Sequence, residues 1–157
     1  MDKEIFLASE QQVEEITNLV QCTIREIYAK YYRDEVVSFF CKWHSMERIL
    51  ADVEAKKVYV MLSNDKIVAT GTADGEHIKR VYVLPEYQMC GYGSAIMDFL
   101  EQKIINENGA AWIDSSLPAG RFYHSRGYMT KEHREYELDN GKILEYEVMI
   151  KTELPID

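Results

Sequence analysis

The residues best equipped for chemistry lie in one stretch: Val81-Tyr82-Val83-Leu84-Pro85-Glu86-Tyr87-Gln88-Met89-Cys90-Gly91-Tyr92-Gly93-Ser94-Ala95. A β-rich run ends at Pro85, and Gly91 and Gly93 then open a long helical pattern. Glycines in such a place let backbone N–H groups approach a ligand with no Cβ in the way. The first turn of a helix leaves its N–H groups unpaired and adds a partial positive charge, which suits a pyrophosphate. Two nucleotide-binding patterns fit badly. A P-loop requires Gly-Lys-Ser/Thr at the helix start, where this chain has Gly93-Ser94-Ala95. The dinucleotide fingerprint requires a third glycine near Ile96; Asp114 offers the acid it needs, but that glycine is absent.

The segment Gln88-x-x-Gly91-x-Gly93 resembles the acetyl-coenzyme A loop of the GNAT family of N-acetyltransferases, Gln/Arg-x-x-Gly-x-Gly/Ala. A second block supports the resemblance: Ala119-Gly120-Arg121-Phe122-Tyr123-His124-Ser125-Arg126-Gly127-Tyr128 is similar to the family's Ala-x-x-Phe-Tyr-x-x-x-Gly-Phe/Tyr. The resemblance implies an acetyl-CoA-dependent N-acetyltransferase that acts on a primary amine of a small molecule or peptide, by direct attack in a ternary complex. It implies that backbone groups around Val81 and Val83 pair with the pantetheine arm as an added strand. Main-chain amides of Gln88, Met89, Cys90, Gly91, Tyr92, Gly93 and Ser94 would hold the pyrophosphate, and Tyr123 would stand near the sulfur as general acid. Two departures are visible. Met89 and Cys90 replace a glycine and a basic residue that relatives often carry, which removes a phosphate-binding cation. Ser115-Ser116 replaces an asparagine common after the fifth strand, leaving Ser116 to reach the cofactor.

The chemistry asks for few groups. An amine of pKa about 10 must lose a proton before it attacks a thioester, and a thiolate leaves more easily when an acid donates to it. A backbone N–H near Val83 is the candidate for the oxyanion. Glu76 and His77 open the strand that would flank the thioester, and His77 lies nearest the position where related histone-type enzymes carry a glutamate. Each reading has a plainer rival. Tyr123 packing against Phe122, His77 at the core edge, Glu76 in a turn and a water chain to bulk are all compatible with the residues. Tyr28, Tyr31, Tyr32 and Trp43, with His44, form either an acceptor pocket or an aromatic core between helices. Cys90 sits beside a helix start, which can lower a thiol pKa, although a plain loop thiol serves as well. His124 and His133 have no sequence spacing that suggests a metal, so none is expected. A catalytically silent acyl-CoA sensor is the alternative function, and an adaptor pairing through its terminal hairpin edge is a further one.

These groups need a scaffold, and the hydrophobic periodicity supplies one. Ile5-Phe6-Leu7 reads as a first strand; Ser9 and Gln12 form a capping box before a helix with Val13, Ile16, Leu19, Val20, Ile24 and Ile27 on one face. A second helical region from about Asp34 through Trp43 resumes after Ser45, so two helices in succession are expected before the second strand. Three strands follow, Val58–Leu62, Ile67–Thr72 and His77–Leu84, joined by Ser63-Asn64-Asp65-Lys66 and Asp74-Gly75 turns. A helix over Ser94–Asn108 ends at Gly109. Ala110-Ala111-Trp112-Ile113 then reads as a strand buried on both faces in a parallel pair. A short helix over Pro118–Ser125 precedes two strands around Asp139-Asn140-Gly141, a hairpin signal. The expected fold is α/β: the GNAT fold in one domain over 1–157, with a central, mixed, mostly antiparallel sheet of six to seven strands flanked by helices.

Composition agrees. The chain has 157 residues, 46% hydrophobic and 29% charged, a globular balance. With 18 Lys+Arg against 27 Asp+Glu the net charge is −9, which repels phosphate backbones, excludes nucleic-acid binding by a broad basic face and leans toward cationic amines. Cys22, Cys41 and Cys90 are an odd, scattered set that suggests neither a disulfide framework nor a metal site. Met1-Asp2-Lys3-Glu4 lacks a signal-peptide head and no apolar run approaches a membrane span, so a soluble, cytoplasmic protein is expected. A homodimer is expected from family habit alone.

Overall fold

A computed structural model describes residues 3–153. Its centre is a seven-stranded sheet in the order β1-β2-β3-β4-β5-β7-β6. The strands are β1 (Ile5–Leu7), β2 (Val58–Ser63), β3 (Lys66–Asp74), β4 (His77–Val83), β5 (Ala111–Ser115), β6 (Met129–Glu137) and β7 (Ile143–Lys151). Every neighbouring pair is antiparallel except β4 and β5. Helices α1 (Val13–Ile27), α2 (Asp34–Trp43) and α3 (Met46–Glu54) follow β1, α4 (Tyr92–Asn108) joins β4 to β5, and α5 (Gly120–Ser125) follows β5.

The apolar faces read from the sequence become the core. Ile16, Leu19, Val20 and Ile24 of α1 pack with Ile49 and Val53 of α3 against Val58, Val60, Val68 and Tyr82 on one side of the sheet. Ile96, Met97, Leu100 and Ile104 of α4 pack against Met61, Ala69, Ile78, Ala111 and Ile113 on the other. The capping box forms, with Ser9 N donating to Gln12 Oε1 at 3.0 Å. The β6–β7 hairpin closes at Leu138–Lys142, where Leu138 N donates to Lys142 O at 2.7 Å. No helix among the described residues is long and apolar enough to cross a membrane.

Two local expectations are corrected. Three α-helices, rather than two, separate β1 from β2. His44 leaves helical geometry, and Ser45 caps a new helix by accepting from Arg48 N at 3.3 Å, because a serine satisfies the unpaired N–H better as a cap than mid-helix. The strand around Trp112 is less enclosed than its apolar run suggests. β5 is parallel to β4 at a single register point, His77 with Trp112, and Asp114 faces out. The two strands part beyond that point, which opens the middle of the sheet.

Candidate active site

The opening is built by a fault in β4. Arg80 has φ 52°, and the β3–β4 register slips between Thr70 and Thr72, so β4 carries a bulge at Arg80. A bulge breaks strict alternation and sharpens the twist. Lys79 and Arg80, consecutive in sequence, both reach Asp52 of α3 as a result, with Lys79 Nζ at 3.2 Å and Arg80 Nη1 at 2.5 Å. Lys79 also binds Asp74 at 3.0 Å. Burial alone would raise the Asp52 carboxyl, but the hydrogen bonds and charges of Arg80 and Lys79 hold it below the usual range. Arg80 Nε donates to His44 Nδ1 at 3.0 Å. Burial, helped by the neighbouring Arg80 charge, brings the His44 pKa down to about 3, so this ring is a neutral acceptor at pH 7.

A cavity of about 430 Å³ occupies the split, between the α1–α3 side and the β5, β6 and β7 side. Tyr28, Tyr32 and Trp43 line it together with His77, Val81, Ser116 and Tyr123, so the fold assembles residues that are nearly a hundred positions apart. Phe39, Phe40, His44, Arg48, Asp114 and Tyr136 also line it. Tyr28 Oη lies 3.4 Å from both Tyr82 Oη and Ser116 Oγ. Tyr123 is half-buried, and burial pushes its phenol well up, so it holds its proton at neutral pH. His77 stacks on Trp112 with ring centroids 3.8 Å apart, and its Nε2 is 3.6 Å from Asp114. Burial lowers the His77 pKa to about 4, with the Lys79 charge adding to the effect.

Tyr31 and Glu76 stand elsewhere. Tyr31 is 58% exposed and Glu76 is exposed; neither lines the cavity, and the Glu76 carbonyl accepts from Trp112 N at 2.9 Å. The sequence analysis missed Arg80, Asp52 and Tyr136. A bulge leaves no composition signal, and Tyr136 arrives from a hairpin folded back over α2, with its ring 5.1 Å from that of Phe39.

The glycine loop lies at the C-terminal end of β4. Gly91 has φ 89°, a left-handed conformation that disfavours any side chain, and it sits just before α4. Ala95 N donates to Gly91 O, so the amides before it are the unpaired donors of the helix start. A Cβ on Gly93 would meet only Val83 and Phe122 at 3.8 Å, so the protein itself has room for a side chain there. Gln88 Nε2 donates to Val83 O at 3.0 Å and ties the loop to the strand. Met89 is fully exposed. Lys3 lies against the loop, its Nζ 5.0 Å from the Tyr92 ring centroid, so a cation stands beside it although Met89 and Cys90 supply none. Beyond His77 the β4 edge toward β5 has no strand partner among the described residues. A free strand edge next to exposed helix-start amides fits an extended amide chain ending in a diphosphate.

The free β4 edge, the glycine loop and the start of α4 thus lie together beside the split in the sheet. Residues 9–149 match the family model described as "Acetyltransferase (GNAT) domain", and the chain belongs to that family. An uncharacterized acetyltransferase of Streptococcus pyogenes serotype M3 is 34% identical over 87 residues, covering 51% of this chain and 61% of the relative. The chain thus spans about six-tenths of the length of the curated relatives it matches. Among solved structures, a GCN5-related N-acetyltransferase from Rhodopseudomonas palustris superposes with a TM-score of 0.88 at 19% identity, over 97% of this chain and 96% of that one. The PaiA N-acetyltransferase from Thermoplasma acidophilum, solved with coenzyme A, gives 0.72 at 16% identity, over 98% and 100%. YncA from Salmonella typhimurium, solved with acetyl-CoA, gives 0.69 at 17% identity, over 95% and 92%.

Proposed function

We propose that this protein transfers an acetyl group from acetyl-CoA to a primary amine by direct attack in a ternary complex. The observation that carries the reading is the split at His77–Trp112: it leaves the β4 edge free and opens the cavity at Tyr123 and His77. Acetyl-CoA supplies the activated thioester.

The chain's own residues bind and move protons. Amides from Met89 to Ser94 at the start of α4 hold the diphosphate, with Gln88 bracing the loop through Val83 O. Main-chain groups of Val81 and Val83 align the amide arm along β4, and Ser116 reaches it from the end of β5. Tyr123, kept protonated by burial, donates to the departing sulfur. His77 is neutral at pH 7 and accepts the amine's proton at a ring nitrogen, with Asp114 at 3.6 Å to offset the charge formed. Its low basicity makes it a relay rather than a store, and the proton leaves to water through the open cavity. Tyr28, Tyr32 and Trp43 enclose the acceptor.

The test is a thiol-release assay with acetyl-CoA and a panel of amines, beside calorimetry with coenzyme A. Saturable binding and turnover with at least one amine are expected. Binding without turnover on a broad panel, and a rate unaffected by Tyr123→Phe, would convert the reading to an acyl-CoA sensor. Failure to bind coenzyme A would end both.

A further inference from the structure

We infer that the acceptor is an amino acid with an apolar or aromatic side chain, whose carboxylate is taken by Arg48. This rests on the acetyltransferase reading above. The cavity is lined by three cationic side chains, and two are ion-paired: Lys79 with Asp52 and Asp74, Arg80 with Asp52. Arg48 is different. Its guanidinium lies 4.3 Å from the Trp43 ring centroid, and among the described residues no carboxylate pairs with it. The Trp43 ring holds the guanidinium near the cavity mouth by a cation–π contact while its N–H groups make no hydrogen bond among the described residues, which leaves them for a carboxylate. Its backbone is anchored too, because Arg48 N donates to the cap Ser45 Oγ.

The opposite wall has the opposite sign. Asp114 of β5 and Glu145 of β7 line the cavity there, on the sheet side. The cavity is therefore dipolar, positive at the α3 rim and negative along β5 and β7. A simple cationic amine would meet Arg48 as a like charge, whereas an amine that also bears a carboxylate satisfies both ends. Between the ends stands an apolar wall: Phe39 and Trp43 stack at 5.8 Å, and Tyr136 closes on Phe39 from β6. Trp43 and Tyr136 remain 43% and 42% exposed, surface that an apolar side chain would cover. A volume of about 430 Å³ lies at the small end of ligand sites and suits a single amino acid rather than a folded protein segment. The net charge of −9 leans toward polycations, but this local arrangement does not extend that preference into the cavity.

The experiment measures kcat/KM for phenylalanine, leucine and tryptophan against their amides, in wild type and Arg48→Gln, with coenzyme A affinity measured by calorimetry for both proteins. Removing the carboxylate lowers the amine pKa, so the amides are intrinsically the readier nucleophiles, and a preference for the acids must come from the site. The expected result is a preference for the acids of roughly tenfold, as for a charge-assisted pair at a partly solvated rim, lost in Arg48→Gln while coenzyme A affinity holds. Equal use of acids and amides, a preference that survives Arg48→Gln, or turnover only with polyamines would overturn the inference and leave acetyl transfer standing. Absence of coenzyme A binding would strike the underlying reading instead.

Discussion

Gly91 and Gly93 are two residues apart, yet the structure assigns them different reasons for being glycine, and alanine at each should act with opposite sign. At Gly91 the backbone is left-handed, with φ 89°, while a Cβ would come no closer than 3.7 Å to Lys3. The cost of Gly91→Ala is therefore backbone strain, about 1–2 kcal/mol. For a chain of this size that is a loss of roughly 2–8 °C in Tm. At Gly93, inside the first turn of α4, φ is ordinary and a Cβ would make only 3.8 Å contacts with Val83 and Phe122. Gly93→Ala should stabilise by about 0.5–1 kcal/mol, since alanine loses less backbone entropy in a helix. If the amides here grip a diphosphate, that Cβ stands in the ligand's approach, and coenzyme A affinity should fall although stability rises. Thermal unfolding without ligand and calorimetry with coenzyme A separate the two. A Gly93→Ala protein that is stabilised and binds as tightly as wild type would refute the placement of the diphosphate at the start of α4.

Other perturbations have equally definite signs. Tyr123→Phe should lower turnover roughly a hundredfold or more, the scale of a lost general acid, with little change in coenzyme A affinity; equal loss in both would make Tyr123 a binding residue only. Arg126→Met should destabilise by about 3 kcal/mol in urea titration. It leaves Glu101, 2% exposed, with Lys151 at 3.0 Å as its remaining ion-pair partner among the described residues, after removing the Arg126 bonds that also engage Asp98. Acid should unfold the protein through its histidines. His77 and His44 have folded pKa values lowered to about 4 and about 3, so the unfolded chain takes up protons first as pH falls below about 6.5. The stability they contribute is complete above that pH and is lost as pH falls toward 4 and then 3. A His77→Gln variant should show a flatter decline between pH 6.5 and 4 in denaturant midpoints, and an unchanged slope would remove His77 from the account.

Local sequence determined the elements and the position of the glycine loop. The helical face from Val13 to Ile27, the β runs of β2 to β4 and the Asp139-Asn140-Gly141 turn each encode their element within a few residues, because periodicity and turn chemistry are short-range. The Gln88-x-x-Gly91-x-Gly93 pattern shows through for the same reason, since a left-handed glycine before a helix is a local demand. Pairing was another matter. The cavity depends on where β4 and β5 part, and that divergence follows the bulge at Arg80, which no composition marks. Glu76 and His77 are adjacent in sequence, yet His77 lines the cavity while Glu76 faces solvent at the start of the strand. His133 has no partner nearby in sequence, but strand register brings its Nε2 to 3.9 Å from Glu145. Tyr31 and Tyr32 read alike in the chain, and only packing sends Tyr32 to Phe40 and leaves Tyr31 outside. Side-chain direction after a bulge, a helix break or a hairpin is set by contacts between distant segments, and so the electrostatics of the cavity belongs to the tertiary structure alone.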